Sequence, residues 1–235
     1  MSAQEVLLSL KNIGVTYPVK SGFFKWSKYS PLTDISFDLH RGETIGVIGR
    51  NGAGKSSLLR IIAGIIEPDK GVICRNNARV TLLSLGAGFI QHLSGRENAI
   101  LSGMLLGLKK SEIVLKLDEI ISFSGLERSI DQPLHTYSSG MRARLGFSVS
   151  IQVNPDVLLI DEVLGVGDEE FRVKSTAEMK RLIKSDKTVV IVSHNLQVLK
   201  ELCDRLVWIE NGIIVGCGDV TDILQKYQNV ISHKV

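Results

Sequence analysis

Proline is scarce, with five residues in a chain of 235. With no polar low-complexity tract beside it, that scarcity excludes long linkers, and no internal repeat points to a solenoid. Cysteine is scarcer still. Cys74, Cys203 and Cys217 are widely spaced and odd in number, which suggests neither a disulfide framework nor a zinc site and points to a reducing compartment. No sign of charge dominates, because 28 Lys and Arg face 25 Asp and Glu. A net charge of +3 is too small to mark a nucleic-acid binder and leaves only a mild attraction to an anionic membrane surface open. Also missing are an apolar run of about 18 residues and an amino-terminal basic segment leading into an apolar run and cleavage site. The chain is therefore not expected to cross a bilayer, and work at a membrane would need a partner with spanning helices. The 44% apolar content can fill the core of one large α/β domain with an inserted lobe.

The most informative stretch is Gly49-Arg50-Asn51-Gly52-Ala53-Gly54-Lys55-Ser56, which fits GxxxxGK[ST] at every fixed position. It follows the apolar run Ile45 to Ile48 and precedes Leu58, Leu59, Ile61 and Ile62, a strand, glycine turn and helix context that turns a string match into a phosphate site. Gly49, Gly52 and Gly54 let the backbone bend so that N–H groups, with that of Ser57 in the helix's first turn, meet phosphate oxygens at the positive end of the helix. Lys55 is placed to reach the β- and γ-phosphates of ATP, Asn51 lies in the loop, and the Ser56 hydroxyl is placed to hold Mg²⁺.

Residues 6–17 and 32–39 read as strands, the second with Leu32, Ile35, Phe37 and Leu39 before the turn at Gly42, and together as an antiparallel edge sheet. Between them, residues 21–30 are unusually aromatic for a connection, either a local ring cluster or a partner-contacting element. Short strands follow the phosphate-loop helix through Leu85. From about 90 to 153 the pattern turns helical. Ser94 and Glu97 form a capping box, and Ser111 is expected to cap a segment whose stripe is Ile113, Val114, Leu117, Ile120 and Ile121. Val157–Ile160 and Thr188–Val192 read as buried parallel strands ending in Asp161-Glu162 and Ser193-His194. A hairpin with a type I′ turn at Asn211-Gly212 and a helix over Thr221–Tyr227 close the chain.

Asp161 and Glu162, about a hundred residues beyond Lys55, suit a Walker B motif, with Asp161 holding Mg²⁺ through its water shell and Glu162 polarising the attacking water. Tyr137-Ser138-Ser139-Gly140-Met141-Arg142-Ala143-Arg144-Leu145 resembles the signature of ATP-binding-cassette (ABC) ATPases, with Ser139 and Met141 departing from its commonest form. The resemblance covers nearly the whole chain. It implies an α/β P-loop NTPase core sheet with an antiparallel β-subdomain and an inserted helical subdomain, all within one nucleotide-binding domain. It also implies that Ser138 and Gly140 contact the γ-phosphate held by a second copy, so that a homodimer shares composite ATP sites. Asp168 stands at the family's D-loop position, His194 at its switch histidine, and Tyr17 near its adenine-stacking aromatic. The Q-loop glutamine matches poorly: its place falls at Ser84 or Leu85, and Gln91 lies too far along.

Residues 85–98, the Tyr-Ser-Ser-Gly-Met signature and Glu162–Asp168 look like the ATPases of bacterial exporters of lipid-linked polysaccharide, serving lipopolysaccharide O-antigen, capsule or teichoic-acid chains. The likeness implies ATP hydrolysis at the cytoplasmic face of the cell membrane beside a separate transmembrane permease, with no nucleic acid partner. Residues 21–30 are similar in position to an extra helix that these ATPases place near the channel entrance. With only 228–235 after Tyr227, no carboxyl-terminal sugar-recognising sandwich is expected, and so no reading of the polymer's end. An importer ATPase is the alternative within the family. A soluble cassette acting on DNA or ribosomes would be expected to carry coiled-coil inserts or a second cassette, and a GTPase an Asn-Lys-x-Asp motif, all of which are absent.

Overall fold

A computed structural model describes residues 5–20, 26–162 and 165–232. Among these are nine strands, β1 (Val6–Lys20), β2 (Trp26–His40), β3 (Thr44–Ile48), β4 (Lys70–Cys74), β5 (Val80–Leu82), β6 (Val157–Asp161), β7 (Thr188–Val192), β8 (Arg205–Glu210) and β9 (Ile213–Asp219). The helices are α1 (Lys55–Ile62), α2 (Gly95–Leu105), α3 (Lys110–Leu115), α4 (Leu117–Ser124), α5 (Ser139–Ser150), α6 (Glu169–Ile183), α7 (Leu196–Leu202) and α8 (Val220–Ser232). The chain divides into two compact units.

The first unit takes the chain up to Leu82, Asp156–Glu162 and everything from Ile183 on. It contains all nine strands as one mixed sheet in the order β4-β1-β2-β9-β8-β3-β7-β6-β5. The centre is parallel, with β3 between β8 and β7, and β6 pairing β7 and β5. Every residue of β3 and β7 is buried, which is why these strands read as unbroken apolar runs rather than as alternations. The core joins Leu8, Ile13, Ile35 and Leu39 to Leu58, Ile61 and Ile62 of α1 and to Val190 and Val207, each such burial contributing about 1.5–3 kcal/mol. β8 and β9 form the expected hairpin, with Asn211 at φ 51° and Gly212 at φ 76° as a type I′ turn requires.

The antiparallel pair β1 and β2 is longer than expected. Lys20 stands opposite Trp26, Pro18 opposite Lys28 and Tyr17 opposite Tyr29. Residues 26–30 are therefore strand rather than the loop or extra helix expected of the aromatic stretch, and 21–25 lie outside the described residues. Aromatic side chains favour strands and pair across them. The serines and lysines between them gave no apolar alternation to reveal this.

Glu43 ties the turn after β2 to β8. Its carboxylate accepts from the His40 backbone N–H at 3.0 Å and from Arg205 Nε at 2.7 Å. Burial pushes the Glu43 carboxyl up, but hydrogen bonds from Arg205 and His40 and the Arg205 charge hold it below its ordinary value overall. A carboxyl lowered in the folded state stabilises above its unfolded pKa and loses that contribution as pH falls through the folded value. Glu43→Gln is expected to cost about 1–3 kcal/mol at pH 7. Urea midpoints of variant and wild type should converge as pH falls below about 4, and a gap independent of pH would refute the assignment.

The second unit runs over Leu83–Pro155 and resumes in the stretch that ends at Leu182. It starts before 90 and takes in α6 as well as α2–α5. Ser94 caps α2 with Glu97 in the expected box. Ser111 does not cap α3. It sits inside the first turn, and the N-cap is Lys109, whose backbone N–H donates to Glu112 at 2.7 Å. The stripe is also interrupted. Ile113, Leu117, Ile120 and Ile121 are buried, but the break at Lys116 leaves Val114 exposed. The core gathers Ala99, Ile113, Ile120, Leu134, Tyr137 and Leu145, and Phe171 of α6 meets Phe123 and Phe147 edge-on.

Candidate functional site

The phosphate loop joins β3 to α1 inside the first unit. Gly54 has φ 100°, and a Cβ there would collide with the Pro31 carbonyl oxygen; one at Gly49 would collide with the Ile209 carbonyl oxygen. Both positions therefore exclude side chains for reasons of space as well as conformation. The amino end of α1 has no side-chain cap and no acidic residue in its first turn, so its N–H groups and dipole favour an anion. Lys55 is buried and its Nζ donates to the Gly49 and Arg50 carbonyls at 2.8 and 3.0 Å. Burial pushes its ammonium pKa down, opposed by the charges of Glu162, Asp161 and Glu210.

The tips of two neighbouring strands complete the arrangement. Asp161 ends β6 in register with Val192 of β7, and the Glu162 N–H donates to the Val192 carbonyl at 2.9 Å. Glu162 has a left-handed φ of 60°, a conformation that costs a non-glycine residue energy and occurs preferentially at functional sites. Its Oε1 lies 2.7 Å from His194 Nε2. Beyond His194, Asn195 caps α7 by accepting from the N–H groups of Gln197 and Val198, which fixes how the chain turns off β7.

A cleft of about 280 Å³ has walls that include Asn51, Gly52, Gly54, Lys55, Ser56, Ser57, Glu162 and His194. The remaining walls are Tyr29 and Pro31, which sequence reasoning missed. The Tyr29 hydroxyl donates to the Gly52 carbonyl at 2.9 Å. Tyr17, the expected adenine-stacking residue, packs half-buried on the core opposite Tyr29 and is not among the lining residues. Of the two residues expected to hold Mg²⁺, Ser56 lines the cleft and Asp161, at the end of β6, is not among its lining residues; both carry the oxygen ligands that a hard divalent cation takes.

Ser138, Gly140 and Asp168 belong to the second unit and do not line this cleft. Ser138 caps α5, its hydroxyl accepting from the Met141 N–H at 3.1 Å, so Gly140 sits in the first turn of that helix. Asp168 caps α6 by accepting from the Phe171 N–H at 3.0 Å and lies 3.7 Å from Arg144 of α5. The Gln91 carbonyl accepts from the His135 N–H, and Gln91 does not line the cleft.

Residues 32–165 match the family model described as ABC transporter. The chain belongs to the ABC transporter family. It is similar to the O-antigen export system ATP-binding protein RfbB of Klebsiella pneumoniae, with 44% identity over 88% of this chain and 85% of the relative. It is also similar to the teichoic acids export ATP-binding protein TagH of Enterococcus faecalis, with 45% identity over 84% of this chain and 44% of the relative. A solved structure of the ATP-binding subunit of an ABC transporter superposes with a TM-score of 0.72 at 22% identity, covering 94% of this chain and 93% of that one. The fold is that of a P-loop NTPase, and this ABC ATPase binds ATP and hydrolyses it.

Proposed function

We propose that this ABC ATPase powers export of a lipid-linked polysaccharide, most closely lipopolysaccharide O-antigen, across the cytoplasmic membrane. The observation that carries the reading is the export role of relatives at 44–45% identity over most of this chain. Capsule or teichoic-acid chains are the alternative cargo. No described helix is long and apolar enough to cross a membrane. The export systems named for the relatives support work at the cytoplasmic face beside a separate permease.

Two copies form the working unit. The cleft supplies Lys55, Ser56, Glu162 and His194 but no residue of the signature, while Ser138 and Gly140 open a helix whose amino terminus favours an anion. A γ-phosphate held between the loop of one copy and the signature of the other satisfies both, with Asp168 at the dimer seam. Ser56 and Asp161 would hold Mg²⁺, which supplies charge neutralisation at the phosphates when bound. Glu162 orients the attacking water and accepts its proton, and His194 fixes the Glu162 carboxylate at one oxygen.

The test is reconstitution with the permease in vesicles. Lipid-linked O-antigen should raise ATP turnover and move across the bilayer only with ATP. Stimulation by a small imported solute with its binding protein, and none by glycan, would replace this reading with that of an importer.

A further inference from the structure

We propose that Tyr29 is a positioning residue of the nucleotide site, acting on the phosphate loop through its hydroxyl. The proposal rests on the loop being the ATP site. The peptide plane between Gly52 and Ala53 is held at both ends. Its carbonyl accepts from the Tyr29 hydroxyl at 2.9 Å, and its N–H donates to the Arg50 carbonyl at 3.1 Å. The same Arg50 carbonyl accepts from Lys55 Nζ at 3.0 Å, so a chain of hydrogen bonds runs from β2 through the loop to the lysine that meets phosphate.

The plane needs an external anchor because of what flanks it. Gly52, on one side of it, has φ 81°, and a glycine there lets the plane turn at little steric cost. Two residues along β2 from Tyr29, the Pro31 carbonyl and Leu32 side chain leave no space beside Gly54. The start of β2 therefore buttresses the loop at two points, one by packing and one by a hydrogen bond. Tyr29 is about half exposed, so its ring adds little to the core, and its effect is to pre-order a loop that would otherwise lose freedom on binding.

The experiment compares Tyr29→Phe, Tyr29→Ala and Lys55→Ala with wild type. It measures binding of ATP and of inorganic tripolyphosphate, steady-state KM and kcat, and thermal unfolding of the nucleotide-free protein. Both Tyr29 variants should bind ATP and tripolyphosphate about three- to tenfold more weakly, the range for one lost hydrogen bond. The loss should fall on KM rather than kcat, and the Phe variant should unfold at the wild-type temperature. Wild-type affinity in Tyr29→Phe would overturn the proposal, as would a loss confined to ATP, since the ring would then be touching base or ribose. A lowered unfolding temperature with unchanged affinity would also overturn it. Lys55→Ala separates the two levels of inference: wild-type binding there sinks the ATP-site reading itself, whereas a defect there with normal Tyr29→Phe sinks only the role of Tyr29.

Discussion

Glu162→Gln should bind ATP like the wild type and hydrolyse it about a hundredfold or more slowly, the usual worth of a positioned general base. The substitution keeps the size of the side chain and an oxygen able to face His194 Nε2, which lies 2.7 Å from the carboxylate. The N–H bond from Glu162 to Val192 is made by the backbone and is not touched, so binding and fold should survive. Only the charge that draws a proton from water is removed. With hydrolysis blocked and the cradle intact, ATP-loaded dimers should accumulate and run as a larger species in size-exclusion chromatography. Turnover near the wild-type rate would mean that the base is another group.

Lys55→Ala and Ser138→Arg should each abolish ATP turnover, and mixing them should restore part of it. Lys55 braces the loop through the Gly49 and Arg50 carbonyls and is the cation of the proposed phosphate site, so its loss removes both order and charge. Ser138 caps α5, and an arginine there removes the cap and blocks the approach to the helix end. In a mixed dimer one composite site combines an intact phosphate loop from one copy with an intact signature from the other. ATP turnover measured against mixing ratio should therefore peak at an intermediate composition. A flat zero, with mixed dimers demonstrated by differential tagging, would rule out the shared site.

What could be read from the sequence was whatever is written locally. The phosphate loop, the strand tips at Asp161 and His194, the Ser94 capping box and the Asn211-Gly212 turn are short strings whose geometry follows from neighbouring residues. Tyr29 lies 23 positions from Gly52, and nothing around it marks a strand, since serines and lysines separate its aromatic neighbours. Its place depends on the register of β1 against β2, which puts Tyr17 opposite it while Tyr17 packs on the core. Helix α6 was missed for a different reason. Seven of its residues carry charge and its buried positions are few, so the apolar period that announces α4 is weak there. Ser111 is a good capping residue in isolation, but Glu112 reaches the Lys109 N–H and starts the helix earlier.

The uncapped start of α1 makes nucleotide a component of the protein's own cohesion. A ligand that binds only the folded state adds about 2.7 kcal/mol when present at a hundred times its Kd, against a total of about 5–15 kcal/mol for a typical domain. For this subunit the increment grows with the excess of ATP over its Kd. When ATP runs down, the empty subunit opens more often and meets proteases sooner. Starvation would then thin out the export machinery as well as idle it, matching the number of transporters to the energy available to run them.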